Sequence, residues 1–231
     1  MFLTIDGRSV QAQPEQSLLD LIQQLGLEKT GLASQPLAAK IAGEVFTLNY
    51  IPVRRKDTQG ERPSMRRAMA ASNGVVRLLR YGDAAGKECY IRTAHFAIFL
   101  ALRQLWPEAA GKISCTLGSS VYIRGSGAAD FSASRLKQRV SEIGREGIPL
   151  IRRRVPLKEA VSRFQREGQE DKARLLRWRP LDYFDEYVYG DYADYFYGEM
   201  LPTTGYLTVW DILPADGGFL FLYPDDQNPE T

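Results

Sequence analysis

The first 80 residues alternate between apolar and polar positions in the way that a small mixed sheet requires. FLTIDGRSVQA has two short alternating runs around Asp6-Gly7, a dipeptide that tolerates the positive φ angles of a hairpin turn. Behind Ser17, a good N-cap residue, leucines and an isoleucine recur at helical spacing. Two extended runs flank residues 42–44, and residues 75–81 form another. This order of strands and helix predicts a β-grasp (ubiquitin-like) domain over residues 1–80.

Residues 85–225 combine helical and extended patterns. Apolar residues on one face predict a helix from Thr93 to Pro107, which carries His95, the only histidine. KISCTL and SVYIRG are extended, and a helix then stops at Gly147. IPLIRRRV is a predicted strand, PLKEAVSRFQREG and EDKARLLRWR are predicted helices, and YLTVWDIL and GFLFLY are predicted strands. The pattern predicts an α+β domain with helices on an antiparallel sheet, followed by the start of a linker at 226–231.

Composition fits two small folded domains in a reducing compartment. A chain of 231 residues is long for one core, and 44% hydrophobic with 25% charged residues is ordinary for globular proteins. Cys89 and Cys115 cannot build a disulfide framework. The N-terminal residues lack a targeting pattern, and FAIFLAL at 96–102 is too short to span a bilayer. We therefore expect a cytoplasmic protein with no membrane partner.

The net charge of +2 hides two blocks of opposite sign. Residues 135–179 contain 14 Lys or Arg and 6 Asp or Glu, whereas residues 180–231 contain 11 acids and no Lys or Arg. The basic block indicates a nucleic-acid surface, since clustered cations contact phosphates; alternatively, the acidic block folds back and neutralises it. A second basic segment, 54–74, predicts a long loop or a short exposed helix. The candidate phosphate contacts are Arg54, Arg55, Arg66, Arg67, Arg152, Arg153 and Arg154.

The residues fit none of three common kinds of catalytic site well. His95 is compatible with a metal ligand, a general base or a hydrogen-bonded core residue, but neither cysteine belongs to a closely spaced ligand pair. The Ser119-Ser120 pair lacks the frame of a nucleophile elbow. GDAAGKE at 82–88 has three residues between its glycines, whereas a P-loop has four. We therefore predict no catalytic residue, no metal and no cofactor in this chain.

Tyrosine is concentrated in the acidic block. Phenol rings can stack on a nucleobase and their hydroxyls can hydrogen-bond, so a nucleoside or an unpaired RNA base is a reasonable ligand. Alternate tyrosines along a half-buried strand can equally pack a core. Asp191, Asp194 and Glu199 among them oppose a phosphate backbone and favour a neutral or cationic group. The tyrosines concerned are Tyr183, Tyr187, Tyr189, Tyr192, Tyr195, Tyr197 and Tyr206.

Several of these segments resemble known domains. TIDGRSV, SLLDLI and PLAAKIAGEVFTLNY resemble the TGS domain, and IRTAHFAIFLALRQLWPEA with GDYADYFYGEMLPTTGYL resembles the adjacent editing domain of threonyl-tRNA synthetases. EGQEDKARLLRWRP, YGDYADYFYGEMLPTTGYL and GFLFLYPD are also similar to the N-terminal region of bacterial uridine kinase-like nucleoside kinases. The resemblance implies a TGS-like β-grasp domain at 1–80, an editing-type domain of threonyl- and alanyl-tRNA synthetases at 85–225, and a linker at 226–231 leading to a kinase domain.

The resemblance also implies a degenerate editing cleft. In the synthetases a His-x-x-x-His helix and a Cys-x-x-x-His loop form the centre that removes wrongly attached amino acids from tRNA. These four positions correspond here to Ile91, His95, Phe196 and Met200. Isoleucine, phenylalanine and methionine cannot activate water or hold a metal as imidazole and thiolate do, so hydrolysis is not expected. The cleft, completed by Tyr192, Tyr195 and Tyr197, is expected to bind a ligand without reacting with it; alternatively, it is filled and has only a scaffolding role.

The resemblance implies a non-catalytic, regulatory or ligand- or RNA-binding N-terminal module of a uridine kinase-like nucleoside kinase. ATP and magnesium would be bound by a kinase domain outside these residues. The implied partners are a nucleoside, tRNA and that C-terminal kinase domain. Two alternatives stay open: a freestanding tRNA-binding or aminoacyl-tRNA editing protein, and a structural or dimerisation module.

Overall fold

A computed structural model describes residues 1–53, 63–108, 110–126, 131–166 and 168–231. The chain is mixed α+β, as the sequence pattern predicts. It divides into two compact units. The larger unit takes in the described parts of residues 1–149 together with residues 198–231, and the smaller unit takes in residues 150–197. Over the described residues, the chain therefore leaves the larger unit after Pro149 and returns to it at Gly198.

A five-stranded sheet lies at the start of the larger unit. Its order is β2-β1-β5-β3-β4, with β1 and β5 parallel and the other neighbours antiparallel. Helix α1 packs its buried leucines against this sheet in one apolar core. The elements are β1 (Phe2–Ile5), β2 (Arg8–Gln11), α1 (Leu18–Gln24), β3 (Ala38–Ile41), β4 (Glu44–Phe46) and β5 (Val75–Leu79).

The predicted hairpin turn and helix cap of this region are confirmed. Asp6 and Gly7 have φ angles of 43° and 82°, the left-handed values that a tight hairpin needs. The Asp6 carboxylate also accepts a hydrogen bond of 2.8 Å from the backbone N–H of Leu78, which joins the turn to β5. Ser17 and Asp20 form a reciprocal capping box at the start of α1.

Helix α2 (Pro63–Ala71) precedes β5, and the 22-residue α3 (Ala84–Leu105) follows it. The prediction that this helix begins at Thr93 is wrong, because Gly86 belongs to the helix instead of interrupting it. A Cβ on Gly86 would lie 2.1 Å from the carbonyl oxygen of Arg80, so only glycine permits this close approach. Within the described ranges no helix is both long enough and apolar enough to cross a membrane.

A second sheet of the larger unit is antiparallel, with the order β11-β12-β7-β6. Helix α4 contacts α3 and β11 and ends at Gly147, whose φ is 61°. The predicted strand at 206–213 begins only at Asp211. The backbone N–H and C=O of Val209 both hydrogen-bond to the hydroxyl of Tyr90, so they are not available to a neighbouring strand. The elements are β6 (Ala110–Leu117), β7 (Ser120–Ser126), α4 (Ala133–Glu146), a 3-10 turn (Thr204–Tyr206), β11 (Asp211–Ala215) and β12 (Gly218–Leu222).

The smaller unit is a three-stranded antiparallel sheet with two helices. The strand order is β10-β9-β8, and the predicted strand and helices at 148–177 are confirmed. Its core contains Phe164 of α5, Leu176 of α6 and Phe184 of β9. The elements are β8 (Ile151–Pro156), α5 (Leu157–Arg166), α6 (Glu170–Arg177), β9 (Tyr183–Tyr189) and β10 (Tyr192–Asp194).

Candidate functional site

His95 lies in the middle of α3 and hydrogen-bonds to a tyrosine from the end of the chain. Its Nε2 and the hydroxyl of Tyr223 are 2.5 Å apart, and the two rings are 5.9 Å apart at an angle of 56°. Both side chains are partly buried. Burial lowers the pKa of His95 to about 4, because the charged imidazolium would lose its water. The imidazole is therefore neutral at physiological pH.

The surroundings of this pair are aromatic and unreactive. Phe221 meets Tyr223 edge to face at 5.2 Å, and burial raises the pKa of Tyr223, so the phenol stays protonated. A general base works best when its pKa lies near the working pH. His95, with a pKa far below 7 and its Nε2 already hydrogen-bonded, is poorly suited to activate water.

The segment that follows Gly198 lies along α3 and is fixed there by backbone hydrogen bonds. The hydroxyl of Thr93 donates to the carbonyl of Cys89 at 2.9 Å and accepts from the backbone N–H of Leu201 at 3.0 Å. Arg92 donates to the carbonyl of Glu199 at 3.2 Å. These bonds hold residues 199–201 on the helix surface.

The Pro-Thr-Thr-Gly turn at 202–205 is anchored through Thr204. Its buried hydroxyl donates to the carbonyl of Ile143 at 2.6 Å and accepts from the backbone N–H of Ile148 at 2.8 Å. Its own N–H donates to the carbonyl of Ile148 at 2.9 Å. Asn49 adds a bond of 2.9 Å to the carbonyl of Pro202. The turn is therefore a rigid connection between the end of α4 and the rest of the larger unit.

The residues of the predicted cleft fall into both compact units. Ile91 and His95 lie one turn apart on α3, and Met200 is fully buried in the segment that follows Gly198. These three belong to the larger unit. Phe196 belongs to the smaller unit, as do the three tyrosines of the predicted cleft.

The tyrosines of the smaller unit form part of an aromatic row. Tyr195 packs on Phe184 at 4.9 Å and meets Tyr197 edge to face at 5.1 Å. Burial, together with a hydrogen bond to Tyr197, raises the pKa of Tyr195 to about 12. Tyr192 donates a bond of 3.3 Å to Asp194. The row runs from the core of the unit to Tyr197, which is 71% exposed and is the ring best placed to meet a ligand.

The three arginines of β8 face acids on β9. Arg152 and Arg154 both pair with Asp185, at 2.6 and 2.9 Å, and Arg153 pairs with Glu186 at 2.7 Å. Burial alone would raise the pKa of Asp185, but the bonds to Arg154 and Arg152 outweigh it and hold the pKa below its usual range. At β8 the acidic block does neutralise the basic one, which was the second interpretation of the charge pattern.

Two of the four remaining predicted phosphate contacts lie in α2. Arg54 and Arg55 are outside the described residues. Arg66 and Arg67 are on α2, and the side chain of Arg67 is exposed. An exposed guanidinium is available to a phosphate without the cost of breaking a buried ion pair.

The sequence did not predict two of these contacts, one at a fully buried carboxylate and one at the partly buried His95. Glu186 is fully buried and its second oxygen lies 2.5 Å from Arg163 of α5. The alternation of β9 contained a signal for this, because Glu186 shares a face with the core residue Phe184. The bond between His95 and Tyr223 had no such signal, since 128 residues separate the two.

The described part of the chain contains no group of three or more His, Cys, Asp or Glu side chains that could hold a metal ion. Both cysteines are free thiols, Cys89 buried and Cys115 exposed. Burial raises the pKa of Cys89 to about 12, so its thiol stays protonated. Cys89 is therefore poorly suited to act as a metal ligand or a nucleophile.

Comparison with known proteins finds sequence similarity to threonine–tRNA ligases. No protein-family model matches the chain. The threonine–tRNA ligase of Clostridium kluyveri is 24% identical over 218 residues, which cover 93% of this chain and 31% of that protein. The enzyme of the same name from Symbiobacterium thermophilum is 23% identical, covering 94% of this chain and 31% of that protein. That from Janthinobacterium sp. is 24% identical, covering 82% and 28%.

The chain is thus similar to threonine–tRNA ligases over most of its length, and it spans about a third of the length of the curated relatives it matches. This supports the synthetase part of the resemblance. None of the three relatives carries the name of a nucleoside kinase. The uridine kinase part of the resemblance, with its nucleoside and kinase-domain partners, therefore has no support from them.

Proposed function

We propose that this chain is a tRNA-binding module related to a part of threonine–tRNA ligases, and that it does not hydrolyse aminoacyl esters. The observation that carries the proposal is the similarity to threonine–tRNA ligases, which extends over 93% of the chain. This favours the alternative of a tRNA-interacting protein over a kinase module. We infer tRNA as the partner from the name of the relatives, and we infer the lack of hydrolysis from the residues of this chain.

The architecture supports a finer assignment within the proposal. A five-stranded sheet with α1 packed on it is what a TGS-like β-grasp domain at 1–80 requires. Antiparallel sheets with packed helices after residue 85 are what an editing-type domain requires. Both domains are part of the proposal.

The absence of hydrolysis rests on the chemistry around His95. A hydrolytic centre needs a base or a metal that activates water. The imidazole has a lowered pKa and is bonded to Tyr223, while Ile91 and Met200 offer no group that could take or give a proton. Recognition of tRNA can persist in such a site, whereas the reaction cannot.

The phosphate contacts are best assigned to the basic segment at 54–67. Arg152, Arg153 and Arg154 form ion pairs with Asp185 and Glu186. If these arginines bound phosphates instead, the two carboxylates would lose those ion pairs. Arg67 is exposed, and Arg54, Arg55 and Arg66 add charge close to it in the sequence. Each cation that contacts a phosphate releases counterions, so the affinity should fall steeply with salt.

A gel-shift titration with threonine tRNA tests the binding half of the proposal. At low salt the wild type should bind, and replacing Arg54, Arg55, Arg66 and Arg67 by glutamine should weaken binding more than tenfold and flatten the salt dependence. The control variant has the same change of charge at four exposed cations elsewhere and should bind like the wild type. Those cations are Arg103, Lys112, Lys158 and Arg166. No binding at low salt would refute this half.

A deacylation assay tests the other half independently. The chain is incubated with tRNA that carries a wrongly attached amino acid, and ester loss is followed against buffer alone. We expect the two rates to be equal. Faster loss that disappears in His95→Gln would show that the imidazole is a working base after all.

A further inference from the structure

A groove of about 410 Å³ lies in the larger unit, away from His95, between α4 and the segment at 205–210. None of its lining residues belongs to α3. Its volume falls within the range of pockets that hold small organic ligands. Gly144 and Gly205 line it and contribute no side chain, which leaves room between the two walls.

One wall carries a tryptophan whose ring is held in place. The Nε1 of Trp210 donates to the carbonyl of Leu207 at 3.2 Å, and the ring stacks on Phe221 at 5.9 Å with an angle of 16° between the planes. The indole is partly exposed and lines the groove. A flat aromatic surface that is already fixed loses little entropy when another ring packs against it.

The other wall is a face of α4 with two cations. Lys137, Ser141 and Arg145 recur every fourth residue, so the two cations are about 12 Å apart along the helix. Lys137 pairs with Asp211 at 2.6 Å, but 49% of the Lys137 side chain and 39% of the Asp211 side chain are exposed, so water screens this pair and Lys137 can also contact an anion. Arg145 is exposed, and its Nε donates a long bond of 3.4 Å to the carbonyl of Ser141.

Arg145 has no carboxylate ion partner among the described residues. The Glu142 carboxylate accepts hydrogen bonds from Arg139 and Gln138, which are the main reason that its pKa is lowered, and the charge of nearby Arg145 contributes less. The guanidinium is therefore available to an anion in the groove. Hydroxyl groups of Ser141 and Thr208 line the same space and can complete the hydrogen bonding of a polar ligand.

We propose that this groove is a nucleotide-binding site in which the base packs against Trp210 and the phosphate binds Arg145, with Lys137 as a second cation. A planar aromatic surface beside cations and hydroxyls matches a molecule with a flat ring at one end and an anion at the other. The nucleotide is either free in solution or an unpaired residue of an RNA chain, and both present the same chemistry. The site is distinct from His95 and does not depend on the proposed function.

Isothermal titration calorimetry with four probes tests the ligand class. The probes are adenosine monophosphate, adenosine, inorganic phosphate and a short oligoadenylate. The monophosphate should bind at least about tenfold more tightly than adenosine or phosphate alone, because both ends of the ligand contribute. An oligoadenylate that binds more tightly than the monophosphate identifies RNA as the source, and one that binds equally or more weakly identifies a free nucleotide. Phosphate binding as tightly as the monophosphate would overturn the role of Trp210.

Two variants with matched controls locate the site. Trp210→Ala should weaken monophosphate binding about tenfold, whereas Trp178→Ala, which removes a ring that is 86% exposed and outside the groove, should not. Because Trp210 also packs on Phe221, Thr208→Glu is the second variant. It places a repelling carboxylate at an exposed position of the groove, and Thr116→Glu makes the same change at an exposed position of β6.

The expected result is that Thr208→Glu loses binding at least tenfold while Thr116→Glu binds like the wild type. Circular dichroism confirms that each variant is folded before it is titrated. If folded Thr208→Glu and Trp210→Ala both bind the monophosphate as the wild type does, or if none of the four probes binds the wild type, the inference is wrong.

Discussion

The pair formed by His95 and Tyr223 should make the larger unit sensitive to acid, and the effect can be measured cleanly because His95 is the only histidine. Burial lowers the pKa of His95 in the folded chain from 6.5 to about 4. In the unfolded chain the imidazole recovers its ordinary pKa. Between these two values the unfolded state binds a proton that the folded state does not, so a falling pH favours unfolding.

The size of this effect follows from the two pKa values. At pH 7.5 the imidazole is neutral in both states, and its protonation does not affect stability. At pH 5 the linkage relation gives a loss of about 2 kcal/mol in the free energy of unfolding, and below pH 4 the loss levels off at about 3 kcal/mol. The stability that the folded chain gains by burying a neutral His95 is therefore retained above pH 6.5 and is lost as the pH falls from 6.5 to 4.

Urea unfolding at pH 7.5 and pH 5 measures the loss, with His95→Gln as the matched variant. Glutamine keeps a hydrogen-bonding side chain but does not titrate. Carboxylates also change stability over this range, but they are common to both proteins and cancel in the comparison. The wild type should lose about 2 kcal/mol more than the variant between the two pH values. Carbon–proton NMR of the single imidazole gives its pKa directly in the folded state.

An NMR pKa of 6 or above, or parallel pH dependences in the two proteins, would refute the reasoning. Either result would mean that water reaches the imidazole of His95 and that the hydroxyl of Tyr223 does not take the place of that water. His95 would then have the pKa of an effective base, and the argument against hydrolysis would lose its main support.

Three further changes test other contacts. Gly86→Ala places a methyl group 2.1 Å from a backbone oxygen and should lower the melting temperature by several degrees, whereas Gly82→Ala, with nothing within 4 Å, should leave it nearly unchanged in thermal denaturation. Thr204→Val leaves buried backbone groups unpaired and should cost about 1–3 kcal/mol in urea unfolding; a loss below about 0.5 kcal/mol would contradict the bonds described. Glu186→Gln removes the charge that faces Arg163 and should cost the smaller unit about 3–5 kcal/mol. Amide hydrogen exchange in the smaller unit should then be faster than in the wild type, while exchange in the larger unit stays the same. Unchanged exchange in the smaller unit would contradict this.

The elements that could be predicted from the sequence are those that local residues determine. The turn at Asp6-Gly7, the cap at Ser17 and the stop at Gly147 each depend on backbone angles or bonds within a few residues. The start of α3 could not be predicted, because the role of Gly86 is to let a carbonyl from outside the helix approach it. A helical glycine looks like an interruption until its tertiary contact is known.

The candidate site was predictable in its residue types and not in its contacts. One of the two interpretations of the charge pattern predicted that the acidic block would neutralise the basic block, but only the register of β8 and β9 places Arg153 opposite Glu186 and Arg154 opposite Asp185. That Ile91 and Met200 stand where the synthetases have catalytic residues stays a prediction from the resemblance of the sequences. The partner of His95 does not, because periodicity gives no information about a contact across 128 residues.

The return of the chain to the larger unit has a consequence for synthesis on the ribosome. Residues 198–231 supply β12, which pairs with β7, and Tyr223, which bonds His95. Until they emerge, β7 lacks a neighbour on one side and α3 carries an unsatisfied imidazole, while residues 150–197 already have their own core. The inserted unit can therefore fold cotranslationally before the second sheet of the larger unit is complete, and β7 and α3 must wait for the last part of the chain without aggregating.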